Sequence, residues 1–188
     1  MSFKVLVIPE DPTWNGYILK PLAKRLLADA GRPAARVQLL DNPRLRGYAH
    51  ARRAIREELP DSYRFFDLWL FFPDADRAGA DAVRHLEGDL RSKGILLLCC
   101  PAQPEVEIYA CVGFREDLPG GWEAARTHPR MKEEVFEPLL RTHGDPRQVG
   151  GGRGMMITRS LQNLPRLFQL CPETRDLRDR IAAILQGR

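Results

Sequence analysis

The feature that most constrains the fold is an apolar run, Leu68 to Phe72, that stops at a D-x-D-x-x-G pattern running from Asp74 to Gly79. Five consecutive large apolar residues predict a strand buried on both faces, as in a parallel sheet covered by helices. Ligands of open α/β sheets collect at the carboxyl ends of such strands. The two carboxylates, Asp74 and Asp76, therefore predict a site at that edge of the sheet.

A second apolar run, Val5 to Ile8, is also followed by acids, Glu10 and Asp11. If the two strands are parallel neighbours, three or four carboxylates converge on one point and repel one another. Mg²⁺ relieves such repulsion, since it prefers oxygen ligands and is commonly held by one or two carboxylates together with substrate phosphates. The alternative is that Asp74 and Asp76 only cap the following helix.

This arrangement, an acid at Glu10 and a D-x-D-x-x-G from Asp74 to Gly79, resembles the Toprim domain over about residues 3 to 112. The segment from Pro104 to Ala110, Pro-Glu-Val-Glu-Ile-Tyr-Ala, resembles the Pro-Glu-(Ile/Val)-Glu-Ala-Trp segment of small stand-alone Toprim proteins related to the overcoming-lysogenization-defect (OLD) class of nucleases. One departure is that many members have Gly after the first acid, whereas this chain continues Asp11-Pro12-Thr13.

The resemblance implies a nuclease or phosphodiesterase that depends on Mg²⁺ or Mn²⁺ and acts on DNA or RNA. It makes Asp74 and Asp76 metal ligands and makes Glu10 a metal ligand or the general base. Glu105 and Glu107 become candidate ligands of the same or a second cation, although acids are also favourable at the start of a short helix. The relationship to the OLD class further implies an ATPase partner in defence against phage or plasmids.

Two other functions stay open at this point. A non-catalytic Toprim-like module would keep the fold and bind nucleic acid or a protein. A phospho-acceptor receiver domain also gathers acids after its first and third strands, but it needs a hydroxyl residue after strand four and a Lys after strand five. Here strand four ends in Cys99-Cys100-Pro101, which disfavours the receiver.

The order of strands and helices predicts an α/β fold: a Toprim-like, Rossmann-like, four-stranded and mostly parallel sheet flanked by helices, with a C-terminal helical extension. We expect an α/β domain over residues 1–112 and a helical subdomain packed on it over residues 113–188. The predicted strands are Lys4–Pro9, Arg36–Leu40, Asp67–Phe72 and Ile95–Cys100, and the predicted helices are Thr13–Ala30, Tyr48–Leu59, Asp76–Lys93, Pro104–Val112, Met131–Thr142, Met155–Leu170 and Glu173–Leu185.

The basic residues are unevenly distributed: residues 126–188 carry 12 basic and 7 acidic side chains, and Arg outnumbers Lys by 24 to 5 in the whole chain. Arg presents a planar fork suited to phosphate oxygens, so a nucleic-acid partner is reasonable, although Arg enrichment can also simply solvate helices. The glycine loop at Gly150–Gly154 either presents amides to phosphate or is a surface turn. The candidate backbone contacts are Arg147, Arg153, Arg159 and Arg166, with Arg44, Arg46 and Arg77 as the alternative surface.

Several features point to a cytoplasmic protein. No apolar stretch reaches the length needed to span a membrane, and the first residues read as a strand rather than as a signal peptide. The four cysteines lack metal-finger spacing, and two of them continue an apolar strand. Buried thiols in a reducing compartment are therefore expected.

Overall fold

A four-stranded, all-parallel sheet organises the molecule, with strand order β2-β1-β3-β4. The computed structural model describes residues 2–75 and 78–187. All four predicted strands are confirmed, with shorter bounds at some ends, and the predicted α/β class is confirmed. The strands are β1 (Lys4–Pro9), β2 (Arg36–Leu39), β3 (Leu68–Phe72) and β4 (Leu97–Cys99).

The central strands are apolar at successive positions because both of their faces are covered. Val5, Val7 and Leu70 point to one side, where they join a core that includes the helix Gly16–Asp29 and the C-terminal helices. Leu6 and Phe71 point to the other side, toward the helices of residues 47–63 and 80–92. All five β3 residues are buried, as the unbroken apolar run predicts.

Helices follow each strand and continue through the last third of the chain. The α-helices are α1 (Gly16–Asp29), α2 (Gly47–Glu57), α3 (Leu59–Tyr63), α4 (Ala80–Ser92), α5 (Ile108–Cys111), α6 (Gly121–Thr127), α7 (Glu137–His143), α8 (Arg153–Leu161), α9 (Leu164–Leu170) and α10 (Pro172–Gln186). A 3₁₀ segment (Val112–Asp117) follows α5 and a π-helical segment (Lys132–Phe136) precedes α7. None of the described helices is long and apolar enough to cross a bilayer.

The C-terminal helices share the core of the sheet. Met156 and Ile157 of α8 are fully buried in the same apolar cluster as Leu19 and Leu22 of α1. At the sheet edge, Arg180 of α10 pairs with Glu87 of α4, with 2.6 Å between Nη2 and Oε2. The helical extension is therefore continuous with one of the two apolar cores.

Several predicted helices differ from the observed ones. The predicted helix Thr13–Ala30 starts at Gly16, Pro104–Val112 is reduced to Ile108–Cys111, and the first part of Met131–Thr142 is π-helical. In two further cases a proline lies in the first turn of a new helix. Pro60 was expected to end a helix but lies in the first turn of α3. The single predicted helix Met155–Leu170 is two helices, α8 and α9, since Pro165 begins α9 and the Asn163 side chain caps it by accepting from Arg166 N at 3.0 Å. The predicted helix Asp76–Lys93 starts at Ala80, and its first two residues lie outside the described part of the chain.

Candidate functional site

The strand order creates a crevice between β1 and β3. From β1 the chain continues to β2 on one side, whereas β3 pairs with β1 on the other side, so the carboxyl ends of β1 and β3 flank a topological switch point. Pro9 pairs with Phe72 in the sheet register. Glu10 follows Pro9 directly and Asp74 comes two residues after Phe72, so both acids leave the sheet at this crevice.

Asp74 is held next to the segment that carries the later glutamates. It forms an isolated parallel bridge with Ala102, beyond the end of β4. The amide of Ala75 donates to the Ala102 carbonyl at 2.8 Å and is 3.3 Å from the Pro104 carbonyl. After Pro104 the chain enters short helical turns that begin at Glu105. These backbone contacts bring the D-x-D segment and the Pro-Glu-Val-Glu segment to the same end of the sheet.

Burial and the neighbouring carboxylates raise the proton affinity of Glu105. Burial contributes most, and the charges of Glu107, Asp74 and Glu133 add to it, so that the pKa of Glu105 rises from the ordinary 4.5 to about 7, with Lys132 partly opposing them. Asp74, Glu105 and Glu107 line the same cleft.

One positive charge is already built into the acidic cluster. Lys132 Nζ lies 3.2 Å from Oε1 of Glu107, a carboxylate that is only 2% exposed. Burial alone would lower the pKa of Lys132, but the Glu107 carboxylate, with Asp11 and Glu105 beyond it, outweighs burial and raises that pKa. Part of the negative charge of the cleft is thus neutralised within the protein.

Two buried polar residues, Glu10 and Asn15, line the first-strand side of the cleft. Glu10 is 4% exposed, and its backbone carbonyl is 3.4 Å from the Gly47 amide. Asn15, 5% exposed, precedes α1, and its Oδ1 is buried without a hydrogen-bond partner among the residues described. Such an orphaned polar atom is costly, so a ligand or water group is expected to reach it.

Arginines form another part of the cleft wall. Arg44 donates from Nη2 to Thr13 Oγ1 at 2.6 Å, and Thr13 N donates to Asp11 Oδ1 at 2.8 Å. Arg46 lies beside them. The cleft is open to solvent, encloses about 550 Å³, and is lined by Glu10, Asp11, Thr13, Asn15, Arg44, Leu45, Arg46, Gly47, Asp74, Glu105, Glu107, Lys132 and Glu133.

The donor atoms that line the cleft are mainly carboxylate oxygens, the type of ligand that a hard divalent cation prefers. As the side chains are placed, no three His, Cys, Asp or Glu in residues 2–75 and 78–187 are grouped closely enough to hold a metal ion. The predicted ligand Asp76 lies outside the described residues, as does Arg77. The cleft thus brings together Glu10, Asp74, Glu105 and Glu107 of the five predicted ligands.

The four arginines predicted to contact nucleic acid have different environments. Arg147 is exposed and Arg166 is half-buried. Arg159 is exposed, with its guanidinium 4.4 Å from the centre of the Phe114 ring. Arg153 is 7% exposed and packs its guanidinium over Trp14 and Phe136, at 4.6 and 5.6 Å from the ring centres. Arg153 is therefore placed as a packing residue rather than as an open phosphate contact.

The glycine loop before α8 is tightly packed. Gly150, Gly151 and Gly152 all have positive φ angles, of 82°, 61° and 87°. A Cβ on Gly150 would lie 2.5 Å from Cγ of Tyr17 in α1, and one on Gly152 would lie 2.6 Å from the backbone nitrogen of Asp145. The glycines are required by this left-handed turn and by its close approach to neighbouring groups.

Sequence reasoning assigned no role in the site to Asn15 and Lys132. Asn15 lies directly before a helix, where asparagine is common as a capping residue. The sequence therefore indicates a cap and not a residue of the cleft. Lys132 lies 25 residues after Glu107 in a π-helical segment, and no spacing rule connects the two.

Comparison of the chain with known protein families, with curated proteins and with solved structures finds no match to any of them.

Proposed function

We propose that the protein is a metal-dependent phosphodiesterase that cleaves DNA or RNA, a Toprim-like enzyme related to the OLD class of nucleases. The observation that carries the proposal is that acids and arginines from separate segments line the same cleft at the topological switch point. Carboxylates can hold a divalent cation and arginines can hold phosphate oxygens. A nucleic-acid strand is a polyanion and is repelled by the carboxylates of the cleft. A bound cation and the arginines would both offset that repulsion.

Asp74 and Asp76 are assigned as ligands of Mg²⁺ or Mn²⁺, with Glu105 and Glu107 as candidate ligands of the same or a second cation and Glu10 as a metal ligand or the general base. When bound, the cation would neutralise the charge that develops on the phosphoryl oxygens and the leaving oxygen. Water supplies the oxygen that bonds to phosphorus, and one ester P–O bond breaks. In this scheme Glu10 takes the proton released by the water, and Arg44 and Arg46 hold the strand by its phosphates.

Protein partners belong to the same proposal. The relationship to the OLD class implies an ATPase partner in defence against phage or plasmids, and these 188 residues carry no ATPase motif. The reaction assay therefore includes the purified protein both alone and with a supplied ATPase partner.

The Lys132–Glu107 pair favours a second candidate function, a non-catalytic module that binds nucleic acid or protein. Its 3.2 Å separation shows that a cation from the chain itself already neutralises one buried carboxylate. If Lys132 takes the place of a metal ion, the arginine wall binds a polyanion and no hydrolysis follows.

Metal-dependent cleavage of single-stranded DNA, duplex DNA, tRNA and ribosomal RNA separates the two functions. We expect cleavage only with Mg²⁺ or Mn²⁺, reduced at least about 100-fold by Glu10→Gln, since a general base contributes that much or more. Asp74→Asn should weaken metal binding measured by calorimetric titration.

The matched control is Asp11→Asn, which removes one negative charge from the same cleft. Asparagine can still accept the 2.8 Å hydrogen bond from Thr13 N, so most activity should remain. No cleavage under any condition, or equal metal affinity in the wild type and in Asp74→Asn, refutes the enzyme and leaves the binding module.

A further inference from the structure

We infer that Trp14 is a stacking platform for a nucleobase, and that the cleft therefore takes a single-stranded nucleic acid rather than an intact duplex. This inference rests on the proposed function for its ligand class, and it adds which form of the nucleic acid binds and which residue selects it. Trp14 has no part in the chemistry proposed above.

The position of Trp14 is the first observation. It lies between Thr13 and Asn15, both of which line the cleft, and it is 40% exposed. The indole thus leaves part of its apolar surface exposed to solvent, next in the chain to two residues of a polar cleft. Trp14 is also the most exposed of the three tryptophans, because Trp69 is fully buried and Trp122 is half-buried.

The support beneath the ring is the second observation. The Arg153 guanidinium lies 4.6 Å from the centre of the Trp14 ring and 5.6 Å from that of Phe136. Arg153 is itself buried, and its Nη1 is 3.4 Å from the Gly150 carbonyl. A cation of this kind covers one face of the indole, so the exposed part of the ring is the part that Arg153 leaves open.

The glycine loop fixes this support in place. Gly150 approaches Tyr17 of α1 so closely that a Cβ would lie 2.5 Å from the ring, and Arg153 begins α8 three residues later. The indole is therefore oriented before any ligand binds, and little conformational entropy remains to be lost on stacking.

The neighbouring groups identify the occupant. Arg44 and Arg46 line the same cleft and provide positive charge for a phosphate backbone. Arg44 donates to Thr13 Oγ1 at 2.6 Å, so this arginine is held against the residue that directly precedes Trp14. Phosphate-binding cations beside an exposed aromatic ring are the combination that binds single strands, since an unpaired base has an open π-face and a paired base does not.

The test measures binding of a 12-nucleotide single strand, as DNA and as RNA, by fluorescence anisotropy, both in EDTA and in Ca²⁺. We expect Trp14→Ala to weaken binding about 10- to 100-fold, the effect of losing one base–aromatic stack. Trp14→Phe should retain most of the affinity, whereas Trp14→Leu, which keeps an apolar cover but has no ring, should behave like alanine.

Three controls distinguish stacking from a structural role. Phe65→Ala removes an aromatic side chain that is 60% exposed at the amino end of β3, the opposite end of the sheet, and should leave binding unchanged. A strand with abasic sites should bind wild type and Trp14→Ala equally. Tryptophan emission should be quenched by the intact strand in wild type and much less in Trp14→Phe.

Equal affinity of wild type and Trp14→Leu for the intact strand, or no binding by folded wild type in either buffer, overturns the inference. The proposed function is tested separately by hydrolysis. Cleavage that depends on Glu10 and is indifferent to Trp14 removes the platform alone. Binding that depends on Trp14 without any metal-dependent cleavage removes the enzyme and keeps the platform.

Discussion

Replacing Glu105 by Gln should stabilise the metal-free protein at alkaline pH. Burial, and after it the neighbouring acids, raises the pKa of Glu105 from 4.5 to about 7, so the charged form of Glu105 is disfavoured in the folded state. A change of this size corresponds to roughly 3 kcal/mol. Because Glu105 is only half-buried, water screens the repulsion, and we reduce the expected gain to about 1–2 kcal/mol.

The sign of the pH dependence follows from proton binding. Between pH 4.5 and about 7 the folded protein holds a proton on Glu105 that the unfolded chain has released, so stability falls as the pH rises through this window. The destabilisation is complete above pH 7 and absent well below pH 4.5. Glutamine carries no charge at any pH and removes this dependence.

Thermal unfolding in EDTA at pH 8.5 and at pH 5 provides the measurement. At pH 8.5 the variant should melt about 2–8 °C higher than wild type, a range set by the length of the chain. At pH 5 the gain should fall to less than about half of that. Glu57→Gln, at an exposed glutamate near the end of α2, should show no comparable gain. Equal or lower stability of Glu105→Gln at both pH values would refute the crowding of acids in the cleft.

Two further predictions concern the cleft wall and the glycine loop. Replacing Arg44 and Arg46 together by Gln should weaken binding of a single strand and reduce the slope of log affinity against log salt by up to about two released counterions. Anisotropy titrations at salt concentrations from about 50 to about 200 mM measure that slope. The same change at Arg147 and Arg159 should have a smaller effect, and the reverse ranking would place the nucleic-acid surface on the C-terminal third. Gly150→Ala should destabilise the fold by about 2–4 kcal/mol in denaturant unfolding, because it combines a left-handed φ of 82° with overpacking against Tyr17. Gly154→Ala, in α8 with open space around its Cα, should instead stabilise the protein by up to about 1 kcal/mol, and similar losses for both variants would contradict the packing argument.

The sheet could be predicted because its pattern is local. β1 and β3 are continuous apolar runs, which only burial on both faces explains, and β2 is an edge strand with alternating exposure. Acids placed shortly after β1 and β3 then had to lie at the same end of the sheet once the strands were parallel neighbours. Glu10 and Asp74 therefore follow from strand ends and strand order alone.

The remaining parts depend on contacts between distant segments, which local patterns do not encode. Arg153 reads as a basic residue beside a glycine loop, and only its packing between Trp14 and Phe136 shows that it is buried. Lys132 reads as a surface charge until the fold places it against Glu107. Pro165 is a local signal for a new helix, which the single helix predicted over Met155–Leu170 does not take into account.

The cleft has a kinetic consequence, because its lining residues come from segments as far apart as Glu10 and Glu133. Such a site cannot form in an isolated fragment of the chain, since each segment must be closed into a long loop before the walls meet. High contact order of this kind slows folding. Any molecule that occupies the cleft binds only the assembled chain and therefore adds to its global stability by mass action, so thermal-shift screening of nucleotides and cations reads out the site directly.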